Sequence, residues 1–288
     1  MPYLLVANAS SGSGSGDLAT RARRELNDVR TIDLGPEVDL GREIGQAMAE
    51  GRTIVACGGD GTVNATAQHL AGTDGVLGVL PDGTLNHFAR DLGVRDPDTA
   101  IATLAEGRSV AIDVGRIGDR VFVNNVGLGV YPELVREREH REDSVGRWVA
   151  VIASVFQVMA HFDPLQGTFT TDGRMHRLAA NALFVGNNRF STSPGTIGRR
   201  ERLDEGVLDV RLVRARTGVL GRASAGWRTA VSRPRRVMAV AARDVEIDLR
   251  RPRLVAMDGE QGDEEARLSV RSDPGALRVL VPAADEGT

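Results

Sequence analysis

The sequence predicts an α/β domain followed by a domain built as a β-sandwich with inserted helices. Short apolar runs alternate with helical stretches in the first hundred residues, whereas the runs beyond Ser109 are mostly strand-like. A chain of 288 residues is too long for one average domain and suits two. We therefore expect domains at residues 1–108 and 109–288, although the closing strand, 277–281, could return to the first domain.

The first domain is predicted to alternate strands with helices, which favours a largely parallel sheet. Its last helix has a typical start, because Asp96 can cap it and Pro97 suits a first helical position. The predicted strands are 3–7, 29–33, 53–57 and 76–80, and the predicted helices start near 17, span 40–49, start at 62 and span 97–106.

The second domain is predicted from repeated short apolar runs, which are typical of a β-sandwich. One long helical interruption is expected at about 132–161. The predicted strands are 110–114, 121–125, 168–171, 178–185, 207–213, 245–249, 254–257 and 268–270.

Composition excludes some chemistries and indicates a compartment. All 36 basic residues are arginines, which excludes a Schiff-base lysine and a Walker phosphate loop. No apolar stretch reaches the roughly 20 residues of a membrane-spanning helix, and the N-terminus lacks the basic segment of a signal peptide. The single Cys57 cannot form an internal disulfide. We expect a cytoplasmic protein.

The segment Gly58-Gly59-Asp60-Gly61-Thr62 lies directly after a predicted strand and directly before a helix. Glycines allow a tight turn and a close approach of the backbone to a phosphate, and a helix N-terminus offers free N–H donors. The segment therefore predicts a phosphate-binding loop made without lysine. A structural turn with Asp60 as a helix cap is the alternative.

A second segment, 81–90, also links a predicted strand to a helix and contains Gly83 and Thr84. Ligands of α/β folds bind at the carboxyl ends of the strands. The two segments are therefore expected to form one crevice.

Four segments, in this order, make the chain resemble the diacylglycerol kinase catalytic family, which includes bacterial lipid kinases and sphingosine kinases and is related in fold to NAD kinases. The matching segments are GGDGT at 58–62, PDGTLN at 81–86 with FAR at 88–90, LDEGVLD at 203–209 and DGE at 258–260. The resemblance implies a nucleotide-binding α/β domain, a β-sandwich domain, ATP in the cleft between them and a dependence on Mg²⁺.

The resemblance also implies roles for individual residues. Asp60 would lie at the nucleotide phosphates and the catalytic metal, and Glu260 would be the general base. In-line phosphoryl transfer needs such a carboxylate to orient the acceptor hydroxyl; a solvated acid in an acidic loop is the alternative for Glu260. The predicted nucleotide-binding residues are Asn8, Gly12, Gly58, Gly59, Gly61, Thr62, Gly83, Thr84 and Asn86.

Two residues depart from the family pattern. Ala9 replaces the proline usual in the first loop, and His87 replaces an aspartate that commonly follows the asparagine. The second change alters the charge in or near the site by about one unit at neutral pH. Three interpretations stay open: the change alters substrate choice, it alters hydrogen bonding around the site, or it marks a subfamily.

Three acids flank Gly206, and a tight turn there could gather their carboxylates around one hard cation. The resemblance suggests a structural or regulatory Mg²⁺ at this place, distinct from the catalytic one; a plain acidic turn is the alternative. The predicted metal ligands are Asp204, Glu205 and Asp209.

Arginines are concentrated late in the chain. Between Arg199 and Arg253 there are 15 arginines and seven acids, a local balance of +8 in a chain of formal net charge −3. Such a region could bind an anionic lipid or nucleic acid, while solvated strand edges are the alternative. Given the resemblance, we expect a membrane lipid substrate, peripheral docking on an anionic inner membrane face and no nucleic acid partner. The sequence leaves open whether the protein forms a homodimer.

Three other functions fit parts of the sequence. An NAD kinase would share GGDGT, but LDEGVLD and DGE favour a lipid kinase. A Rossmann dinucleotide site at Gly14–Ala19 is disfavoured because the four residues Asn8–Ser11 separate the first strand from even the first glycine of this stretch, whereas such a site turns sharply at the strand end. A regulator that binds lipid or nucleotide without catalysis has only Ala9 and His87 in its support. Diacylglycerol is the expected acceptor, although the sequence does not distinguish it from other lipid alcohols.

Overall fold

The computed structural model describes residues 1–8, 15–129, 164–193, 198–214 and 236–283. The chain forms two compact units. Unit 1 consists of Met1–Asn124, Asn187–Val207 and Arg271–Thr288, and unit 2 consists of Asn125–Gly186 and Leu208–Val270. In the described part of the chain, no helix is both long enough and apolar enough to cross a bilayer.

Unit 1 is built on a parallel sheet. Its strands are β1 (Tyr3–Ala7), β2 (Val29–Asp33), β3 (Thr53–Gly58), β4 (Val76–Pro81) and the end of β14 (Glu260–Val281). They lie in the order β2-β1-β3-β4-β14, and each neighbouring pair is parallel. All residues of β1 and β3 are buried, which is typical of parallel strands covered on both faces.

The helices of unit 1 lie between these strands in the sequence. Asp39 and Asp96 cap two of them, because their carboxylates accept hydrogen bonds from the backbone nitrogens of Arg42 and Thr99. The described helices are α1 (Ser15–Glu25), α2 (Leu40–Ala49), α3 (Asp60–Leu70), α4 (His87–Asp91) and α5 (Pro97–Glu106).

Unit 1 extends past the predicted boundary at residue 108. Strand β5 (Arg108–Ile117) pairs with β6 (Arg120–Phe122) and with β14, so residues 109–124 belong to the first unit. The end of β14 returns to unit 1 beside β4, where Arg278 faces Val76. The chain passes from one unit to the other more than once. A single domain boundary in the sequence therefore could not describe this division.

Unit 2 is antiparallel. Five strand pairs, β7–β10, β7–β13, β8–β13, β8–β9 and β11–β12, run antiparallel in it. Buried and exposed residues alternate from 244 to 249, so one face of that strand packs against the core. The strands are β7 (Asn125–Gly129), β8 (Leu165–Thr171), β9 (Arg174–Ala180), β10 (Ala182–Asn187), β11 (Leu208–Arg214), β12 (Arg236–Ala242), β13 (Asp244–Met257) and the first part of β14.

Several strand predictions for the later part of the chain were wrong in extent. The expected strands 245–249 and 254–257 form the single strand β13, because the exposed segment between them stays extended. Likewise β14 includes both 268–270 and 277–281. The expected strand 178–185 breaks at Asn181, and β12 was not predicted. The predicted helical interruption at 132–161 lies outside the described residues.

Candidate active site

The GGDGT segment forms the turn from β3 into α3. Gly59 is the N-cap residue of α3 and has an extended backbone, and Asp60 is the first helical residue. A side chain at Gly58 would collide with the hydroxyl group of Thr62, which is itself buried. Glycine at position 58 is therefore required by the close approach of Thr62.

The second segment follows β4, which lies beside β3 with Pro81 opposite Gly58. Asn86 adopts a left-handed backbone conformation, and its side-chain amide closes the loop by accepting from the nitrogen of Gly83 (3.0 Å) and donating to its oxygen (2.7 Å). A Cβ atom at Gly83 would collide with the Cα of Gly59. The two glycine loops thus touch backbone to backbone, which confirms that the two segments meet at one edge of the sheet.

Asp60 connects the two loops. Its carboxylate oxygens accept hydrogen bonds from the backbone nitrogens of His87 (3.2 Å) and Phe88 (3.1 Å), at the start of α4. Asp60 therefore caps α4 and not its own helix α3, and the free N–H groups of α4 stabilise its negative charge. The predicted role of Asp60 at phosphates and metal stays a prediction.

His87 stands exposed at the start of α4. Its Nδ1 lies 2.8 Å from Nη2 of Arg90. A guanidinium group can only donate, so Nδ1 is the acceptor and the neutral ring carries its proton on Nε2. The position therefore presents an imidazole N–H and a guanidinium group side by side.

The other end of α4 is held by Arg200. Its side chain and that of Asp91 are 0% and 5% exposed, and Nε of Arg200 donates to Asp91 at 2.7 Å. The remaining guanidinium nitrogens donate to the carbonyl oxygens of Val123 and Asn187 and to Oδ1 of Asn124. Sequence reasoning missed this residue, because a single sequence gives no reason to separate it from the neighbouring arginines.

Asp113 is a second buried residue that sequence reasoning missed. It is 2% exposed, and its carboxylate accepts from the backbone nitrogens of Gly206 (2.6 Å) and Gly275 (2.9 Å). It thereby fixes the LDEG turn and the closing strand to β5. An acid in the middle of an apolar strand was the available signal, because such residues are rarely buried without a specific partner.

Asp82 lies in the second glycine loop, and its backbone nitrogen donates to the carbonyl oxygen of Gly58. Its Oδ2 atom is buried without a hydrogen-bond partner, and burial raises the pKa of this carboxyl group. Burial also raises the pKa of the nearby Cys57 thiol to about 12, with the charge of Asp82 contributing. Cys57 is therefore a neutral core residue.

Glu260 lies in unit 2, where Asp258 and Gly259 form the turn between β13 and β14. Both turn residues have positive φ angles, as a two-residue hairpin turn of this kind requires. The backbone nitrogen of Asp258 donates to the carbonyl oxygen of Asn125, and the carboxylate of Asp258 accepts from the backbone nitrogen of Asn125. Glu260 is exposed to solvent, yet protein atoms near its carboxyl group partly desolvate it and raise its pKa. This carboxylate forms no ion pair with any described residue. A raised pKa suits a proton acceptor.

The predicted metal ligands are not gathered around one point. Asp204 forms an ion pair with Arg202 at 2.9 Å, and Glu205 pairs with Arg189 at 2.9 Å. No group of three or more metal-ligating side chains that could hold a metal ion occurs in the described ranges. The structure therefore does not support a Mg²⁺ site made by these acids, because neighbouring arginines occupy their carboxylates.

Other predicted residues are placed as follows. Asn8 directly follows β1, whose end lies beside the end of β3 in the sheet. Gly61 is half-buried and Thr84 is exposed. Gly12 lies outside the described residues, as do the side chains of the arginines at 233–236. Nucleotide binding by these residues stays a prediction.

Both halves of the chain match known protein families. Residues 2–117 match the diacylglycerol kinase catalytic domain, and residues 133–281 match the YegS C-terminal NAD kinase beta sandwich-like domain. The second match covers about half of the chain. It agrees with the predicted fold class, an α/β domain followed by a β-sandwich-like domain.

Individual proteins agree with these families. A "Probable lipid kinase YegS-like" of Pseudomonas savastanoi is 30% identical over 264 residues, 89% of this chain and 84% of that protein. A "Diacylglycerol kinase" of Bacillus subtilis is 32% identical over 133 residues, 45% of this chain and 44% of that protein. The crystal structure of a diacylglycerol kinase from Bacillus anthracis has a TM-score of 0.67 at 18% identity and covers 98% of this chain and 97% of that one, which shows a shared fold. The chain belongs to the diacylglycerol kinase family of lipid kinases, with a YegS-type C-terminal domain.

Proposed function

We propose that this phosphotransferase transfers the γ-phosphoryl group of ATP to the hydroxyl group of diacylglycerol. The observation that carries the proposal is the contact between the two glycine loops, where a Cβ atom at Gly83 would collide with the Cα of Gly59. Exposed backbone N–H groups at such loops bind phosphate. The chain has no lysine, so these groups and nearby arginines are the donors that it can offer to a triphosphate.

Magnesium fits this site through Asp60. Mg²⁺ is usually held by one or two carboxylates together with substrate phosphates and water, so a cage of three protein ligands is not needed. Asp60 uses each oxygen once, to accept a hydrogen bond from α4, and each retains capacity for a further contact. When bound, the ion would neutralise charge that develops on the transferred phosphoryl group.

Glu260 is proposed as the acceptor of the proton from the lipid hydroxyl. Desolvation raises its pKa, which makes its carboxylate a stronger base than an ordinary glutamate. The tight turn at Asp258 and Gly259 fixes the residue at the start of β14. A base on a rigid turn can orient the hydroxyl as well as deprotonate it.

Arg200 is proposed to position α4 beside the phosphates. The helix is held at its first residues by Asp60 and at its last residue by Arg200. His87 and Arg90, which α4 carries, are exposed and offer donors to an anionic substrate group. Their placement therefore depends on both contacts.

A radiolabelled ATP assay tests the proposal. The protein would be incubated with Mg²⁺, ATP and detergent-dispersed diacylglycerol, monoacylglycerol, sphingosine, ceramide or phosphatidylglycerol, and in a parallel reaction with NAD. Labelled phosphatidic acid formed faster than any other product is the expected result. Preferred labelling of another lipid would contradict the choice of diacylglycerol, and labelling of NAD alone would contradict the lipid substrate altogether.

A further inference from the structure

His87 and Arg90 form a hydrogen-bonded pair on the outer face of α4. They lie three residues apart, a spacing that puts two side chains on the same face of a helix. Both are exposed to solvent, whereas Phe88 and Ala89 between them are buried in the core of unit 1. The two buried residues therefore fix which face of α4 points outward, and that face carries the pair.

The backbone at the start of the pair is fixed at the edge of the two glycine loops. Asn86 precedes His87 and closes the second loop onto Gly83. The backbone nitrogen of His87 donates to Oδ2 of Asp60 at 3.2 Å, and Asp60 belongs to the first loop. The side chain of His87 therefore starts beside the place where the triphosphate is proposed to bind.

The pair carries one positive charge that α4 does not neutralise. Nη2 of Arg90 lies 2.8 Å from Nδ1 of His87, and a ring that accepts this bond is neutral. The acid of α4, Asp91, is already paired with Arg200, and the carboxylate of Asp60 accepts from backbone nitrogens. His87 therefore orients the guanidinium group without cancelling its charge, as a carboxylate at this position would do.

Neighbouring N–H donors with a positive charge suit the oxygens of a phosphate group. The pair offers the Nε2–H group of His87 and the N–H groups of Arg90 that face away from the ring. Guanidinium groups bind phosphate through paired hydrogen bonds, which are strong because the acceptor is ionised. We propose that His87 and Arg90 together bind the terminal phosphoryl group of the nucleotide, and that His87 both orients Arg90 and donates from Nε2.

This inference rests on the proposed function, because the terminal phosphoryl group is the one that ATP would transfer. The same donors can bind the phosphate of an anionic lipid. The nucleotide is favoured because the backbone of His87 is bonded to Asp60 in the first glycine loop. His87 would then act through hydrogen bonding around the site, which is one of the interpretations that the sequence left open.

Calorimetric titration of the full chain tests the assignment without any lipid. The ligands are ADP and an ATP analogue in which nitrogen replaces the oxygen between the β and γ phosphorus atoms, each with Mg²⁺. His87→Ala and Arg90→Gln should each lose about tenfold or more in affinity for the analogue, because both remove hydrogen bonds to a charged group. Affinity for ADP should stay within about twofold of the wild type, since ADP lacks the terminal phosphate.

Unchanged binding of ADP also shows that these variants are folded. Arg95→Gln removes an exposed arginine outside α4 and is the matched control, which should bind both nucleotides as the wild type does. Wild-type affinity of His87→Ala and Arg90→Gln for the analogue would overturn the inference. An equal loss for the analogue and ADP would overturn it as well, because the pair would then not act on the terminal phosphate.

His87→Asp tests whether the charge of Arg90 is used. The new carboxylate would pair with Arg90, cancel its charge and repel the phosphate. Its affinity for the analogue should therefore fall further than that of His87→Ala, again with little change for ADP. An aspartate variant that binds the analogue at least as tightly as the alanine variant would overturn this part of the assignment.

Lipid phosphorylation separates this inference from the proposed function. A wild-type protein that labels diacylglycerol, with normal binding of the analogue by both pair variants, would contradict the inference alone. A wild-type protein that labels no lipid, but whose preference for the analogue depends on His87, would contradict the kinase proposal alone. Variants that bind both nucleotides normally but have a raised KM for phosphatidylglycerol would show that the pair binds a lipid phosphate, and the nucleotide assignment would be wrong.

Discussion

The turn at Glu260 and the acidic turn at 204–209 both carry carboxylates for which the sequence predicted a role, as a general base and as metal ligands. In the structure, the surroundings of these carboxylates differ. Glu260 is exposed and forms no ion pair with a described residue, and partial desolvation of its carboxyl group raises its pKa. Asp204 is held by Arg202, which keeps its pKa below the usual range. An acid is available for catalysis when its surroundings desolvate it without supplying a counterion. A neighbouring glycine does not by itself show whether an acid is available for catalysis.

Glu260→Gln should have the largest effect on turnover. The amide keeps the shape of the side chain but cannot accept the proton, and general-base catalysis is worth about 10² to 10⁴-fold. Steady-state rates with diacylglycerol and ATP would measure the loss, and ATP binding by calorimetry should stay near normal. A variant with a third of the wild-type rate would remove Glu260 from the mechanism.

The pH profile gives an independent check on Glu260. The carboxylate form is the active one, and its pKa is raised, so kcat/KM should fall on the acid side at a higher pH than an ordinary glutamate pKa of about 4.3. The Gln variant should lose this acid limb. An unchanged limb in the variant would assign the titration to another group.

Arg200→Met should have the largest effect on stability. It leaves Asp91 buried with an unpaired charge, and breaking a buried ion pair typically costs about 3 to 5 kcal/mol. Chemical denaturation would measure the change, with Arg202→Met, which breaks an exposed pair, as the control. A double variant that also carries Asp91→Leu should recover part of the stability, because no buried charge remains. Equal destabilisation by the two single variants would refute this account.

A single sequence predicts local elements better than contacts between residues that are distant in the chain. Strands 3–7 and 29–33 and helices 40–49 and 97–106 have the predicted bounds, because apolar periodicity and caps act between residues close in sequence. The bond between Arg200 and Asp91 joins residues 109 positions apart, and that between Asp113 and Gly275 joins residues 162 apart. No local pattern encodes such partners. The ion pairs of Asp204 and Glu205 with arginines could not be predicted for a related reason. The sequence does not show whether an acid close to arginines is paired with one of them.

Gly83→Ala tests whether the two loops act as one site. The added methyl group would collide with Gly59 and force the loops apart, and a displacement of about 1 Å in a catalytic arrangement can cost about 10²-fold in rate. We expect a loss of this size in kcat/KM for ATP. Gly45→Ala in α2, where a methyl group meets no neighbour, is the matched control and should leave the rate unchanged. A normal rate in both variants would show that the contact between the two loops is not needed for the use of ATP.

Asp60→Asn should weaken the use of Mg²⁺ by about tenfold or more. The change removes a charge that a cation can bind while keeping an oxygen that can accept hydrogen bonds from α4, and hydrogen bonds to charged groups are worth about 1.5 to 3 kcal/mol. A titration of the initial rate against Mg²⁺ at saturating ATP measures this shift. If the protein loses stability but the magnesium midpoint is unchanged, Asp60 acts only as the cap of α4.

Asp204→Asn should have the smallest effect of these variants. Asp204 is half-exposed and paired with Arg202, and exposed ion pairs contribute only about 0 to 1 kcal/mol. The arginine holds the pKa of Asp204 low, so the pair adds its stability above the unfolded pKa and loses it as the pH falls through the folded pKa. The variant should therefore match the wild type in acid and be slightly less stable at neutral pH. Its magnesium midpoint should equal that of the wild type, in contrast to Asp60→Asn. A midpoint shifted as far as that of Asp60→Asn would mean that Mg²⁺ displaces Arg202 from Asp204, and the acidic turn would then be a metal site after all.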